Sequence, residues 1–477
     1  MSNQGQTPRS RPRPYQLEGA RFALEAMTPR TGHNTKPTGW HRAAMIADDP
    51  GLGKTFTAFL VAQGLGARRT LVVAPAIGRV SWPLEVRRHW PAMADHTKIP
   101  AFSASPGDWI NQDDLLLVLS YDTFSQPATA KRWMKALRER RWNLLILDEA
   151  HYLKGLSNRT VAIYGGRSGH LGIQAQADRV LLLTGSPTPN HAGELFPHYR
   201  TFWADLLTHE GKPLGQTDFE ERYTKYTDGP WGRAIHGSQD QDRLRQAFAP
   251  VILRRHRRDV LPELPPLHVE DVPLPGAVWP GLTGHAQTID RLMAVPLDDL
   301  IATLDSDSVS LATLRRLLGE AKAVPSAEWA RERLGVGVDK ILLFAWHTKV
   351  IERLRELLLD FNPVCITGDT QPARREQAVH RFQNDPDTRV FLGQVKAAGT
   401  AITLTEASQV GIVEPSWVPG ENEQVIARAW RLGQKNPVVA SFLYVPGSLD
   451  QRIMRAFRRK ASELVGIYQN EHEKGRG

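Results

Sequence analysis

Short, unbroken apolar runs punctuate this chain at intervals and come in two series. The first holds TLVVAP (70–75), LLLVLS (115–120), NLLILDEA (143–150) and RVLLLTGSP (179–187). The second holds KILLFAW (340–346), VCITGD (364–369), RVFLGQ (389–394), QVGIVEP (409–415) and VASFLYV (439–445). Runs that are continuous rather than alternating predict strands buried on both faces of parallel sheets. Helix-like stretches separate them. In VIERLRELLLDF (350–361), Val350, Leu354, Leu357, Leu358 and Phe361 fall on one buried helical face. Each run of the first series ends in a small or polar residue, where a loop begins at the carboxyl end of a strand. Open α/β sheets bind their ligands there.

The remaining segments set the expected organisation. Residues 1–14 form a basic Arg/Pro tail. Residues 15–275 form a first α/β lobe with a helical insertion over about 200–262, and HVEDVPL (268–274) is expected to return to that lobe's sheet. Residues 276–335 read as helical, with Leu311, Leu314, Leu317 and Leu318 on one stripe. Residues 336–447 form a second α/β lobe, and 448–477 a terminal helix and tail. No repeat of 20–50 residues is present.

Composition narrows the function classes. The 477 residues carry 60 Lys plus Arg against 51 Asp plus Glu, a net charge of +9 that favours an anionic partner. The single cysteine, Cys365, excludes an internal disulfide framework and a cysteine metal site. None of the 16 His falls at HxxxH or HExxH spacing. No apolar run approaches the roughly 18 residues that span a bilayer, so no membrane partner is expected. The start lacks the apolar core of a secretory signal. The expected compartment is the cytoplasm, at the nucleoid in a bacterium or in the host cytoplasm for a phage.

The chemistry concentrates in two motifs. In DDPGLGKT (48–55), Gly51 and Gly53 let backbone wrap phosphates, Lys54 offers a charge to the β- and γ-phosphates, and the Thr55 hydroxyl suits Mg²⁺. The helix that follows aims its amino terminus at the anion. Asp48 stands where the strict pattern has Gly. In LLILDEAH (144–151), a strand delivers Asp148, suited to Mg²⁺, and Glu149, suited to polarising water. Adjacent carboxylates at a strand tip are costly to bury without a cation. Trp82 and Trp417 read as surface anchors among the 13 Trp.

Taken together, these motifs resemble the Swi/Snf family of superfamily 2 helicase-type ATPases. RPRPYQLEGARF (11–22) is similar to its adenine-recognition segment, with Gln16 as reader, and DDPGLGKT to its motif I, where an acidic residue also replaces Gly. VVAPAIGRVSWPLEVRRHW (72–90), LSYDTF (119–124), DEAHYLKG (148–155) and LLLTGSPTPNHAGELF (181–196) resemble motifs Ia, Ib, II and III. LRRHRRDVLPELPP (253–266) resembles a family hallmark. KILLFAWHT (340–348), VKAAGTAITLTEAS (395–408) and QVIARAWRLGQ (424–434) resemble motifs IV, V and VI, and YVPGSLDQRI (444–453) the terminal brace. SWVPGENEQ (416–424) and LRRLLGEAKA (314–323) lean toward the annealing-helicase, fork-remodelling branch. Four positions depart from the pattern: Ile426 and Ala427 replace a frequent acidic pair, Trp430 a frequent His, and Ala401 the second Gly of motif V.

The resemblance implies two tandem RecA-like lobes with ATP in the cleft between them. Gln16, Asp49, Pro50, Gly51, Leu52, Gly53, Lys54, Thr55 and Phe56 would line the nucleotide, and Thr55 and Asp148 would hold Mg²⁺. Glu149 would activate water, and His151, Thr184, Gly185 and Ser186 would report phosphate status. Arg431 would be the arginine finger and Arg428 its assistant; three residues apart, they would share one helical face. Duplex contacts would come from Gly78, Arg79, Tyr121, Thr123, Trp346, His347, Lys349, Lys396, Gly399 and Thr400, reaching phosphates without reading sequence. For the cluster Arg254, Arg255, Arg257 and Arg258, DNA contact, interlobe closure and a solvated helix face all stay open. The function expected is a DNA-stimulated ATPase that moves on double-stranded or forked DNA and remodels what it meets. No reader domain is expected after the brace, so a protein partner or the DNA structure would supply targeting. The alternatives are a strand-separating helicase, for which no β-hairpin wedge is evident, and a non-hydrolysing DNA-binding switch.

Overall fold

The computed structural model describes residues 11–28, 41–76, 78–101, 104–110, 113–155, 157–166, 171–185, 187–188, 191–229, 232–275, 309–395, 402–416, 419–448, 450–452 and 454–455. The expected tail up to residue 10, the stretch 276–308 and the end of the brace lie outside them, as does Trp417. The chain divides into two compact units, the first ending at Val260 and the second continuing from Leu261, which also takes in 189–191 and 224–239.

The first unit is built on a seven-stranded, all-parallel sheet. Its strands are β1 (Ala43–Ile46), β2 (Arg69–Ala74), β3 (Thr97–Lys98), β4 (Leu115–Ser120), β5 (Trp142–Asp148), β6 (Ala177–Leu183) and β11 (Ile252–Leu253), in the order β11-β1-β6-β5-β2-β4-β3. The apolar runs alternate strictly between two cores. Met45, Val73, Leu117, Leu147 and Leu182 face one side. Ile46, Val72, Val118, Ile146 and Leu183 face the other, under helices α1 (Pro14–Ala26), α2 (Lys54–Gly64) and α3 (Gly78–His89). Each buried Leu or Ile contributes about 1.5–3 kcal/mol over its exposed state.

The register decides the site. Ile46 pairs with both Leu183 and Leu253, and Leu183 with Asp148, so β11, β1, β6 and β5 finish at one level. Their following loops therefore share one edge of the sheet. β1 escapes the apolar pattern because AAMI is short and Ala-rich, although all four residues are buried.

The second unit has a six-stranded parallel sheet of β12 (Leu267–Pro273), β13 (Ile341–Ala345), β14 (Val364–Ile366), β15 (Val390–Gln394), β16 (Gln409–Ile412) and β17 (Val438–Tyr444). Its order is β12-β17-β16-β13-β15-β14. Thus all nine apolar runs are strands of two parallel sheets flanked by helices, as the sequence predicts. Three expectations change. β12 runs beside β17 over seven paired residues and belongs to the second sheet, not the first; its alternating polar pattern suits an edge strand. The segment 200–262 is not purely helical. It holds the hairpin Thr208–His209 with Lys212–Pro213, designated β7 and β8, and the hairpin β9 (Thr224–Gly229) with β10 (Gly232–Ser238). These strands lack apolar runs because neither hairpin joins a larger sheet among the described residues. Finally, the helix begun at Thr348 stops at Leu357, and a short 3₁₀ turn carries Leu359–Phe361.

Candidate nucleotide site

The loop after β1 has the shape a phosphate requires. Gly51 and Gly53 adopt φ of 89° and 76°, in the left-handed region where a side chain is strained. Gly53 caps α2, whose first turn of N–H groups has no intrahelical partner. Lys54 Nζ donates to the carbonyls of Asp48 (2.8 Å) and Asp49 (3.5 Å), folding its charge over the loop. Gln16 Nε2 donates to Leu52 O (3.2 Å), so α1 is tied to the same loop.

Across the sheet edge, β5 delivers the two carboxylates, both partly buried. Glu149 sits at φ 49°, a strained conformation for a non-glycine residue. Its Oε2 lies 3.3 Å from His151 Nδ1, and that same nitrogen lies 3.1 Å from Thr184 Oγ1. With the Glu149 N–H on Asp148 Oδ1 (3.0 Å), the carboxylate pair, His151 of motif II and Thr184 of motif III form one connected group. Gly185 completes the contact with the phosphate loop. A Cβ there would stand 3.1 Å from Pro50 and 3.7 Å from Lys54 Nζ.

The electrostatics divide the pair. Burial and the neighbouring Glu149 charge push Asp148 up to about 6, against Trp82 and Lys54. Glu149 is partly desolvated too, yet His151, Lys54 and the Gly185 backbone hold it down at about 2. A divalent cation would relieve the strain on Asp148, and hard carboxylate oxygens suit Mg²⁺. Among the described residues no three His, Cys, Asp or Glu converge as a metal cage. That leaves an ion resting on one or two carboxylates, water and substrate phosphate, which these residues could hold.

Several residues stand elsewhere than expected. Trp82 is a buried residue, not a surface anchor: its Nε1 donates to Asp148 Oδ2 (2.8 Å). Tyr121 and Thr123, expected on DNA, are buried. The Tyr121 hydroxyl donates to Asp148 O (2.9 Å), so this turn supports motif II. Gly78 is buried where a Cβ would strike Ala74, and Arg79 is partly buried with Nη2 on Pro100 O (2.6 Å). Asp49 gives its N–H to Arg255 O (3.1 Å) and accepts from the Arg257 N–H (2.9 Å), so its backbone N–H and carboxylate are engaged with the segment after β11. Phe56 is buried and stacks on His89, with ring centroids 4.2 Å apart. Thr55 is partly buried in the first turn of α2.

The basic cluster after β11 is neither a solvated face nor a free DNA contact throughout. Arg255 and Arg257 are buried against the phosphate loop, the first in a two-pronged ion pair with Asp48. In the sequence, Asp48 in place of the usual Gly was the one hint of this.

In the second unit, Arg428 and Arg431 do not share a helical face. The helix Pro419–Ile426 ends before them, and a series of irregular turns carries the chain to Gly433 at φ 98°. Arg428 is buried; Arg431 is partly buried and its Nη1 donates to Ile402 O (3.1 Å). Trp430, in place of the frequent His, donates to Pro265 O (2.8 Å). Buried Glu414 accepts from the N–H groups of Trp346 (3.0 Å) and His347 (2.9 Å) and pairs with His347 Nδ1 (2.7 Å). Lys349, one turn on, is exposed. Ser186, Lys396, Gly399, Thr400 and Ala401 lie outside the described residues.

A family profile for the SNF2-related domain matches residues 15–274, more than half the chain, and one for the helicase conserved C-terminal domain matches 332–433. The chain belongs to the SNF2-related family. Its curated SNF2 relatives include the DNA annealing helicase and endonuclease ZRANB3 of Homo sapiens. That protein is 27% identical over 482 residues, which cover 97% of this chain and 41% of ZRANB3. A homologue of the SWI/SNF-related matrix-associated actin-dependent regulator of chromatin subfamily A-like protein 1, from Caenorhabditis elegans, is 27% identical over 462 residues. The match covers 94% of this chain and 61% of that protein. This SNF2 chain therefore spans about two fifths to three fifths of the length of these relatives. A solved structure, the Sulfolobus solfataricus SWI2/SNF2 ATPase core in complex with dsDNA, aligns at 19% identity and TM-score 0.43 over 97% of each chain.

Proposed function

We propose that this chain is an ATP-driven motor that moves on double-stranded DNA and remodels protein–DNA complexes or forked DNA. The observation that carries the reading is the meeting, on one sheet edge, of a glycine-bent loop with Lys54 and a carboxylate pair linked to motif III through His151. That is the equipment of phosphoryl transfer to water, where positioning and charge do the catalysis. Gly51, Gly53 and Lys54 would seat the triphosphate, with Gln16 beside the base. Thr55 and Asp148 would hold Mg²⁺, which when bound neutralises charge on the phosphates. Glu149 would orient the attacking water, and His151 with Thr184 would sense the γ-phosphate. Arg431, assisted by Arg428, would supply the cation that answers charge developing in the transition state.

Duplex DNA is the proposed track. The net charge of +9 supports it, as do relatives whose names include DNA annealing helicase. Exposed Lys349 beside motif IV is retained as a phosphate contact, with Lys396, Gly399 and Thr400, while the buried Tyr121 and Thr123 side chains are not. A protein partner for targeting belongs to the same proposal. One observation favours strand separation as a second reading: β9 and β10 form a hairpin that joins no larger sheet among the described residues.

The test is steady-state ATP hydrolysis with no nucleic acid, duplex DNA, single-stranded DNA, forked DNA or duplex RNA, with Glu149→Gln as the blank. Stimulation chiefly by duplex or forked DNA is expected. Stimulation chiefly by single strands or RNA would replace the translocase with the strand-separating helicase.

A further inference from the structure

Arg255 enters the unit at a crowded point. Its Nε and Nη2 reach the two oxygens of Asp48 at 3.0 and 2.5 Å, and Nη1 donates to Tyr15 O. The guanidinium lies 5.5 Å from the Tyr15 ring centroid. α1 makes room for it with Gly19, where a Cβ would stand 2.7 Å from Arg255 Nη2. Asp48 itself is 1% exposed, and its carbonyl accepts the shorter of the two Lys54 Nζ bonds. The next two residues repeat the arrangement. His256 Nδ1 lies 3.4 Å from Asp49 Oδ1, the Arg257 N–H is on Asp49 Oδ2, and the Arg257 guanidinium donates to Pro50 O. Three consecutive loop residues, 48 to 50, are thus held by three consecutive residues, 255 to 257. Four residues later, at Leu261, the chain enters its second unit.

We propose that Arg255 is a positioning residue for nucleotide binding: through Asp48 it fixes the phosphate loop, and it fastens that loop to the segment leading into the second unit. The proposal deepens the ATPase reading and rests on it. A carboxylate buried at the start of the loop has no shell of water to steady it, so a rigid two-pronged donor must. A Gly at position 48 would leave that anchor out. Arg255 is buried, with Nε, Nη1 and Nη2 each engaged inside the unit, so a direct DNA contact is not its expected role.

Four variants decide it: Arg255→Gln, Arg255→Lys, Asp48→Asn, and the double variant Asp48→Asn with Arg255→Gln. The readouts are affinity for a fluorescent ADP, affinity for duplex DNA without nucleotide, and the thermal midpoint. Removing one partner strands a buried charge, so each single Gln or Asn variant should weaken ADP binding about tenfold or more. Arg255→Lys keeps the charge without the fork and should fall between. The double variant leaves two neutral amides able to pair and should recover to within about threefold of the parent. DNA affinity should not change. If the thermal midpoint dropped while ADP affinity held in all four, the pair would be structural only. Should Arg255→Gln fail to fold, Arg255→Lys with undiminished ADP affinity would overturn the proposal by itself. Loss of DNA affinity with intact ADP binding would overturn it too. An unaltered protein that bound no nucleotide would sink the ATPase reading, and this proposal with it.

Discussion

Trp82→Phe separates a packing role from a metal-positioning one. The indole Nε1 of Trp82 donates to Asp148 Oδ2 at 2.8 Å, and Trp82 is 1% exposed. Phenylalanine keeps an aromatic ring in the core beside Phe59 but removes the only donor the indole has. A hydrogen bond to a charged acceptor is worth about 1.5–3 kcal/mol. The lost ring volume adds on the order of 1 kcal/mol. Stability should therefore fall by about 2.5–4 kcal/mol. The functional consequence is distinct. The bond holds one oxygen of Asp148 in place and favours its ionised form, so releasing it would cost the proposed cation site order as well as charge. Loss of an outer partner of a metal ligand typically lowers metal affinity about 10–100-fold. The assay is twofold: Mg²⁺ titration of ATP hydrolysis, and Mn²⁺ binding in the presence of ADP followed by electron paramagnetic resonance. Both half-saturation points should move upward together, with maximal turnover recovered in part at high Mg²⁺. A destabilised Trp82→Phe protein with the parental Mg²⁺ and Mn²⁺ dependence would refute the reasoning and reduce Trp82 to core packing.

Other substitutions have equally definite outcomes. Glu149→Gln should retain ADP and DNA binding but lose turnover by several orders of magnitude, since it keeps shape and removes the base; parental hydrolysis rates would reassign the base. Lys54→Ala should abolish ADP binding in the same titration, because Lys54 Nζ is the cation folded over the loop. Arg431→Ala should leave ADP binding unchanged while lowering turnover about 10³-fold or more, the usual worth of an arginine finger; unchanged turnover would remove that role. His198 makes the fold acid-sensitive. It is 1% exposed, its Nδ1 lies 2.7 Å from Tyr164 Oη, and burial holds its imidazole at about 3. The unfolded chain takes up a proton below about 6.5 while the folded one does not, so stability is full above that pH and falls as pH drops toward 3. At pH 5.5 the loss from this residue is about 1.4 kcal/mol. Urea unfolding of the parent and His198→Asn at pH 7.5 and 5.5 measures it, and equal pH sensitivity in the two would count against the buried neutral imidazole.

How legible each part was depends on whether its cause is local. The nine apolar strands were readable because burial on both faces leaves an unbroken hydrophobic run. β1 was not, as Ala43–Ile46 is too short and Ala-rich to stand out, although it begins the nucleotide site. The phosphate loop and the Asp148–Glu149 tip were readable from glycine spacing and charge placement. The two hairpins of 200–262 were not, since strands outside a larger sheet need no apolar pattern. Arg428 and Arg431 were found by motif, but their three-residue spacing suggested a helix that in fact ends at Ile426.

By itself, the sequence determined two parallel α/β layers, the order of the motifs and the chemistry at the carboxyl edge of the first sheet. These follow from hydrophobic periodicity, glycine conformational freedom and the side chains available at strand ends. The tertiary structure alone decided which charges are spent internally. Arg255 and Asp48 are 207 residues apart, yet one buries the other. Trp82 and Asp148 are 66 apart and share a hydrogen bond. β12 leaves the sheet its position suggested and pairs with β17. The physical reason is the same in each case. A buried polar group must find its partner in space, and no local pattern records which distant strand end will supply it.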